Sequence, residues 1–277
     1  MLYVLLVFVA LTALLLYTLK PRLDRDWAVD HARLTTATFH EGLVTIENVR
    51  NFSWRTLSDF DIRWAKRIYA LDEIRSVDYV MVPFGKFQGM AHSFLTFGFD
   101  DGRHVSISVE IRREKPEVFG PIRGLLRQYE IMYVVGDERD LIGLRSNIRK
   151  NTVYLYPIRA TRRQIRDLFV SMLRRANELA QNPEFYNTLV NNCATNILKH
   201  VNELLDDPHP YTLRVAVPGY SARYAYDHGL IDTDEGFFKA RERFRINARS
   251  GWVDEDSLDP EGRMWSAQIR ATPGGKA

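Results

Sequence analysis

A chain of 277 residues with 45% hydrophobic and 26% charged side chains has the makeup of a globular protein with a full core, not of a disordered one. Its formal charge of +3, with basic and acidic residues interleaved, excludes the concentrated basic footprint of a nucleic-acid binder. The single cysteine, Cys193, excludes an internal disulfide and a cysteine-rich zinc site.

Residues 1–19 are uncharged, rich in Leu, Val, Phe, Ala and Tyr, and are followed by Lys20-Pro21-Arg22. About 20 apolar residues cross a bilayer as a helix, so one N-terminal transmembrane helix is expected over 1–19. A cleaved signal peptide is the rival reading, disfavoured by the missing basic n-region and the length of the apolar run. Lys20, Arg22 and Arg25 follow the run and no Lys or Arg precedes it. Taken alone, those charges put the bulk of the chain in the cytoplasm. Residues 20–33 read as a polar connector containing Trp27, 34–235 as the main domain, and 236–277 as a C-terminal extension and tail.

Strand-like runs then follow at 34–39 and 43–49, joined by a His40-Glu41-Gly42 turn, and at 62–71 and 77–83. Leu71-Asp72-Glu73-Ile74 reads as a single helical turn. Runs at 92–99 and 103–112 flank Asp100-Asp101-Gly102, which suits a three-residue hairpin loop with glycine in the left-handed position. That register pairs Phe99 with Arg103, Phe97 with Val105, Leu95 with Ile107 and Ser93 with Val109. Apolar residues then share one face. The other is polar and gathers His92, Phe94, Thr96, Ser106, Ser108 and Glu110, with His92 directly opposite Glu110. A two-residue loop would scatter both kinds over both faces, so the three-residue register is preferred.

Strands are expected again at 129–135 and 152–158. The charged stretch between them, Asp137-Glu138-Arg139-Asp140 with Arg145, reads as a solvated loop with internal ion pairs. Thr161 opens a helix to about residue 180, with Ile165, Leu168, Phe169, Met172, Leu173, Ala176 and Leu179 on one face; Asn182-Pro183 ends it. A further helix starts at Cys193 and buries Ala194, Ile197, Leu198, Val201, Leu204 and Leu205. From Pro218 onward, short helical and loop pieces are expected to pack around the main body.

A helix start stabilises a thiolate, because its first-turn N–H groups are unpaired and the helix dipole is positive there. A thiol nucleophile also needs a base and a group that orients the base. His92 is the candidate base, and Glu110 or Ser108 the orienter. The bland reading of Cys193 is a small buried residue, the common fate of a free cysteine. His200 lies two helical turns away, ~10 Å along the axis, too far for proton transfer. His40 and His104 sit in or beside turns and are expected to be solvated; His31, His209 and His228 lie in loop-like polar surroundings. No cluster has metal-ligand spacing, and no phosphate loop or nucleotide-binding glycine motif is present, so neither metal nor cofactor is expected.

Several motifs in order carry a resemblance: Ala91-His92-Ser93-Phe94-Leu95-Thr96-Phe97-Gly98-Phe99, Ser108-Val109-Glu110-Ile111-Arg112 and Gln128-Tyr129-Glu130. Asp137-Glu138-Arg139-Asp140 with Leu144-Arg145, Val153-Tyr154-Leu155-Tyr156-Pro157 and Phe185-Tyr186-Asn187-Thr188-Leu189 with Asn191-Asn192-Cys193-Ala194-Thr195 continue it. Over roughly 24–235 the chain resembles the Lnb N-terminal periplasmic domain family. The resemblance implies an α+β, circularly permuted papain-like domain of the NlpC/P60 type, with an antiparallel sheet and a nucleophile helix, over 34–235. It also implies a periplasmic domain held to the bacterial inner membrane by a single span, against the vote of the flanking charges. Members with known activity N-acylate lipoproteins through an acyl-thioester, so Cys193 would be the nucleophile and His92 the base.

Two departures stand out. The characterised acyltransferases carry a multi-helix membrane domain after the soluble one, and no second span follows here up to Ala277; Ala194 stands where threonine is common. The expected partners are the membrane, a lipid acyl donor, and a lipoprotein or peptide acceptor, with no nucleic acid. A cell-wall peptidase or amidase using the same pair, and a non-catalytic envelope binding module, are the alternatives. A long apolar groove beside Cys193 would favour acyl chains and an acidic one peptidoglycan, whereas a binding module would bury Cys193 out of reach of His92.

Overall fold

The computed structural model describes residues 1, 3, 4, 7, 17–252, 259 and 261–271. The membrane-crossing run expected at 1–19 lies largely outside the described residues; among those described, no helix is long and apolar enough to cross a membrane.

The strands are β1 (Thr36–His40), β2 (Leu43–Arg50), β3 (Ser53–Trp54), β4 (Phe60–Asp61), β5 (Trp64–Ala70), β6 (Ile74–Pro83), β7 (Ala91–Phe99), β8 (His104–Arg112), β9 (Glu130–Asp137) and β10 (Tyr154–Pro157). The helices are α1 (Pro121–Leu125), α2 (Glu138–Gly143), α3 (Arg162–Gln181), α4 (Cys193–Asn202), α5 (Leu213–Ala216), α6 (Ser221–Asp227), α7 (Phe237–Arg243) and α8 (Arg263–Arg270). This is a mixed α+β fold. Its main sheet runs β1-β2-β9-β8-β7-β6-β10, with β5 also paired to β2. Pairing is antiparallel except where β2 meets β9, at the single parallel bridge Arg50↔Gly136. A side chain at Gly136 would put its Cβ 2.8 Å from the Arg50 carbonyl oxygen, so only glycine fits that crossing.

Turn chemistry sets the local registers. The β1–β2 hairpin closes through Glu41 and Gly42, both left-handed at φ 47° and 78°, as a two-residue loop requires. In the β7–β8 hairpin Gly102 takes φ 83°, and Phe97↔Val105 and Leu95↔Ile107 pair as the three-residue loop predicts. Residues 71–73 form a turn without helix and Ile74 opens β6, a correction to the single helical turn expected over 71–74. Thr161 caps α3 through a box with Gln164, the kind of cap that contributes ~1 kcal/mol. Helix α4 ends at Asn202, short of the leucines at 204 and 205.

Helices cover both faces of the sheet. On one, α3 and α4 pack on Leu95, Phe97, Phe99, Val105 and Ile107. On the other, Leu141 and Ile142 of α2 and Trp265 and Ile269 of α8 meet Phe94, Met132 and Val134. The hairpin face read as polar is therefore buried: Phe94, Thr96, Ser106 and Ser108 are fully enclosed. Thr96 and Ser108 bond Glu138 and Glu110 inside the protein, whereas the Ser106 hydroxyl is buried with no hydrogen-bond partner.

The charged stretch 137–145 is likewise not a solvated loop. It forms α2 and a following π-helical turn (Leu144–Ile148), and its acids pair with arginines from distant strands and helices. Asp140 accepts two hydrogen bonds from Arg50 at 2.9 Å, plus the Phe52 amide and the Trp54 indole N–H. Glu138 and Asp78 share Arg270 of α8 at 2.7 and 2.8 Å. The 20–33 connector is tied down too. The Trp27 indole lies under the Arg112 guanidinium at 4.1 Å, and Arg22 and Arg25 both bond Glu130.

Candidate active site

Cys193 is the first residue of α4, and its neighbour fixes that start. The Asn192 side chain accepts from the Thr195 amide at 3.0 Å, while Thr195 Oγ1 accepts from the Asn192 amide at 2.9 Å. Asn192 Nδ2 also donates to the carbonyls of Thr188 and Ala216. The cap thus positions both the helix and the loops on either side of it, and leaves the first-turn N–H groups of α4 facing the thiol end.

The β7–β8 ladder ends at Phe94↔Ser108, yet His92 still pairs with Val82 of β6 and Glu110 with Met132 of β9. The two strands separate at this end, and the gap brings the helix-borne thiol on one face to the imidazole of the other. His92 Nε2 lies 2.7 Å from Ser108 Oγ and 3.1 Å from Glu110 Oε1. Ser108 Oγ in turn donates to Glu110 Oε1 at 2.7 Å. With Nε2 so engaged, Nδ1 is the nitrogen left to exchange a proton with the thiol. All four residues expected from the sequence, Cys193, His92, Ser108 and Glu110, come together here.

Burial alone would push the Cys193 thiol up. The hydrogen bond and charge of His92 reverse this, with help from Ser93, and hold it below its usual value. Burial likewise opposes charge on His92, but the Glu110 carboxylate and the Cys193 hydrogen bond raise it to about 8. Glu110 sits well below the carboxylate range despite burial, held there by His92 and Arg145. The three groups favour a thiolate–imidazolium–carboxylate line.

Two further residues join the site, Ser93, expected only as the partner of Val109, and Arg145, expected in a solvated loop. Ser93 donates to the Cys193 sulfur at 3.5 Å, and Arg145 donates to Glu110 Oε1 at 2.6 Å. The signal for Ser93 was visible as the one hydroxyl on an otherwise apolar hairpin face. Other histidines stand apart. His200 is buried between Tyr133 and Ser171, and His40 is exposed. Contrary to expectation, His31 is buried, accepting from the Arg113 amide, and His104 is half-buried. Among the described residues no group of side chains could hold a metal ion.

Cys193 and His92 open onto a cleft of about 630 Å³. Its lining includes the apolar Phe84, Phe87, Met90, Val118, Phe119 and Val217 and the basic Arg50, Arg113, Arg145 and Arg149. Arg50, Arg113 and Arg145 are matched by Asp140, Asp30 and Glu110.

A cysteine at a helix start, a histidine on a neighbouring strand and a carboxylate behind it thus meet within an α+β domain. The family model of the Lnb N-terminal periplasmic domain matches residues 60–219, a span that holds all of these groups. The chain belongs to that family, and so is a periplasmic domain of the cell envelope. No curated protein and no solved structure matches it.

Proposed function

We propose that the protein is a cysteine-dependent acyltransferase-like enzyme of the bacterial envelope, working on acyl groups of lipids or lipoproteins. The observation that carries this reading is the Cys193–His92–Glu110 line at the edge of a cleft lined largely by apolar side chains. The strand bearing His92 precedes the helix bearing Cys193, the order of a permuted papain-like domain, and we read the fold as that type. Residues 1–19 would hold the domain at the inner membrane, with the cleft in the periplasm.

In the first step the Cys193 thiolate attacks an ester carbonyl. The oxyanion forms beside the unpaired N–H groups of the α4 start. The carbon–oxygen bond breaks, the alcohol leaves with the proton of the His92 imidazolium, and a thioester remains. An amine or water then attacks the thioester; neutral His92 takes its proton and the thiolate is released. Glu110 and Ser108 keep the imidazole turned toward sulfur throughout. Asp30 and Glu110, the acids lining the cleft among the described residues, are each matched by an arginine, which argues for acyl chains over cell-wall peptides.

Intact-mass analysis after incubation with membrane lipids tests the reading. A fatty-acyl adduct that disappears in Cys193→Ala, and fails to form in His92→Ala, is the expected result. Full acyl transfer or thioesterase activity in both variants would remove the mechanism. Release of cell-wall peptide fragments without any lipid adduct would replace it with the peptidase alternative.

A further inference from the structure

The mouth of the cleft is ringed by large apolar side chains that no part of the described chain covers. Phe87 is 59% exposed, Val118 71%, Ile122 72% and Val190 67%, with Leu189 and Leu213 beside them. They come from separate segments that are bonded to one another. Thr188 Oγ1 donates to the Pro121 carbonyl at 2.7 Å, Tyr211 Oη to the Leu189 carbonyl at 2.6 Å, and the Gly219 amide to the Gly89 carbonyl at 2.9 Å. The loops thus form one rim, and Phe87, Val118 and Leu189 also line the cleft itself. Exposed apolar side chains gathered on linked loops in this way mark an interaction surface.

Charge around the rim points to the partner. The 115–127 segment carries Lys115, Arg123 and Arg127 against Glu117, and Lys86 and Arg214 stand in the neighbouring rim loops; the basic excess remains after Lys115 pairs with Asp26 at 3.2 Å and Arg214 with Asp227 at 3.1 Å. Apolar residues set among basic ones suit the interface of an anionic bilayer. The chain's own N-terminus leads to the same end. The Arg22 amide and the Arg25 guanidinium bond Glu130, at 3.0 and 2.9 Å. The adjacent Tyr129 hydroxyl donates to the Val118 carbonyl at 2.6 Å, and Glu130 bridges to Phe185. Residues 22–25, which follow the uncharged run 1–19 in sequence, therefore lie beside the rim.

We infer that this rim seats on the surface of an anionic lipid bilayer, so that the cleft beside Cys193 opens directly onto lipid. The inference deepens the acyl-transfer reading by naming the bilayer as the source of the acyl donor; the docking itself does not depend on catalysis.

The test uses the full chain in vesicles of phosphatidylethanolamine and phosphatidylglycerol, in the Cys193→Ala background, so that docking is read without turnover. An environment-sensitive fluorophore is placed through Ile122→Cys, or through Phe238→Cys, which is 74% exposed but away from the rim. Headgroup-level spin-labelled lipid should quench the label at 122 at least fivefold more than the label at 238. Equal quenching at the two sites, or none at 122, overturns the inference. So does protection of 122 without lipid that titrates with protein concentration, which would make the rim a contact between copies. In otherwise wild-type protein, Ile122→Asp with Val190→Asp should lower acylation by vesicle lipid at least tenfold. Alkylation of Cys193 by a small soluble reagent should be unchanged. If vesicle acylation keeps its full rate in that variant, the rim does not deliver lipid. If Cys193 never acylates but 122 is still quenched, acyl transfer falls and the docking surface stands.

Discussion

Arg145 grips the Glu110 oxygen that His92 also faces, with Nη2 donating to Oε1 at 2.6 Å and Nη1 to the Leu141 carbonyl at 2.6 Å. Its guanidinium also stacks 4.9 Å from the Phe94 ring. Arg145 touches neither sulfur nor imidazole and acts by positioning Glu110. Removing one partner of a buried pair costs ~3–5 kcal/mol. Arg145→Met should therefore destabilise the fold on that scale in urea denaturation. Arg145→Lys keeps charge but loses the fork, and should retain most of the stability while slowing Cys193 alkylation at neutral pH several-fold. Equal alkylation rates in the lysine variant and wild type would deny Arg145 its positioning role.

The reactivity of Cys193 should be pH-dependent in a specific way. With the thiol lowered and His92 raised to about 8, the ion pair is populated near neutrality and loses its imidazolium above about 8. Iodoacetamide alkylation should keep much of its maximal rate at pH 7. In His92→Ala, burial is left to dominate, so the alkylation midpoint should move above that of an ordinary thiol and the rate at pH 7 should fall at least tenfold. An unchanged midpoint would separate the two residues.

Ser93→Ala removes a hydroxyl donor to sulfur from a fully enclosed position. A hydrogen bond to a charged group contributes ~1.5 kcal/mol or somewhat more, about one pKa unit. The alkylation midpoint of Cys193 should rise by roughly that amount, with the circular dichroism spectrum unchanged. No shift would mean that the serine only fills space.

Stability at low pH should report on Arg270. Burial pushes Glu138 up, but Arg270 and His104 overcome it and bring Glu138 down to about 2. A carboxylate depressed in the folded state stabilises the protein above its unfolded pKa, and that stability is lost as pH falls through the folded value. From an ordinary value of 4.5 to about 2, the contribution is ~3 kcal/mol, present at pH 5 and fading toward pH 2. Arg270→Met should flatten this slope and lower the melting temperature at pH 7. An unaltered acid limb would contradict the pairing.

The site was legible where local rules govern it. The glycine of the 100–102 loop fixed the hairpin register, and with it the approach of His92 to Glu110. The sequence at 191–195 announced a helix start at the cysteine. What sequence concealed was long-range pairing. Asp137, Glu138 and Asp140 lie beside arginines in the chain and look self-satisfied, but their partners are Arg67, Arg270 and Arg50. A charged run whose counter-charges are far away in sequence looks the same as a solvated one until the fold brings them in. The polar hairpin face misled for the same reason: α8, which covers part of it, comes from the far end of the chain.

Ser93 and Cys193 are 100 residues apart, and the strand carrying His92 is complete well before α4 is made. The low thiol pKa arises only when the two are joined. A nascent or exported chain carries a cysteine of ordinary reactivity, slow toward oxidants and stray disulfides. Folding itself is what lowers the thiol pKa, so a reactive sulfur is confined to molecules that have already folded.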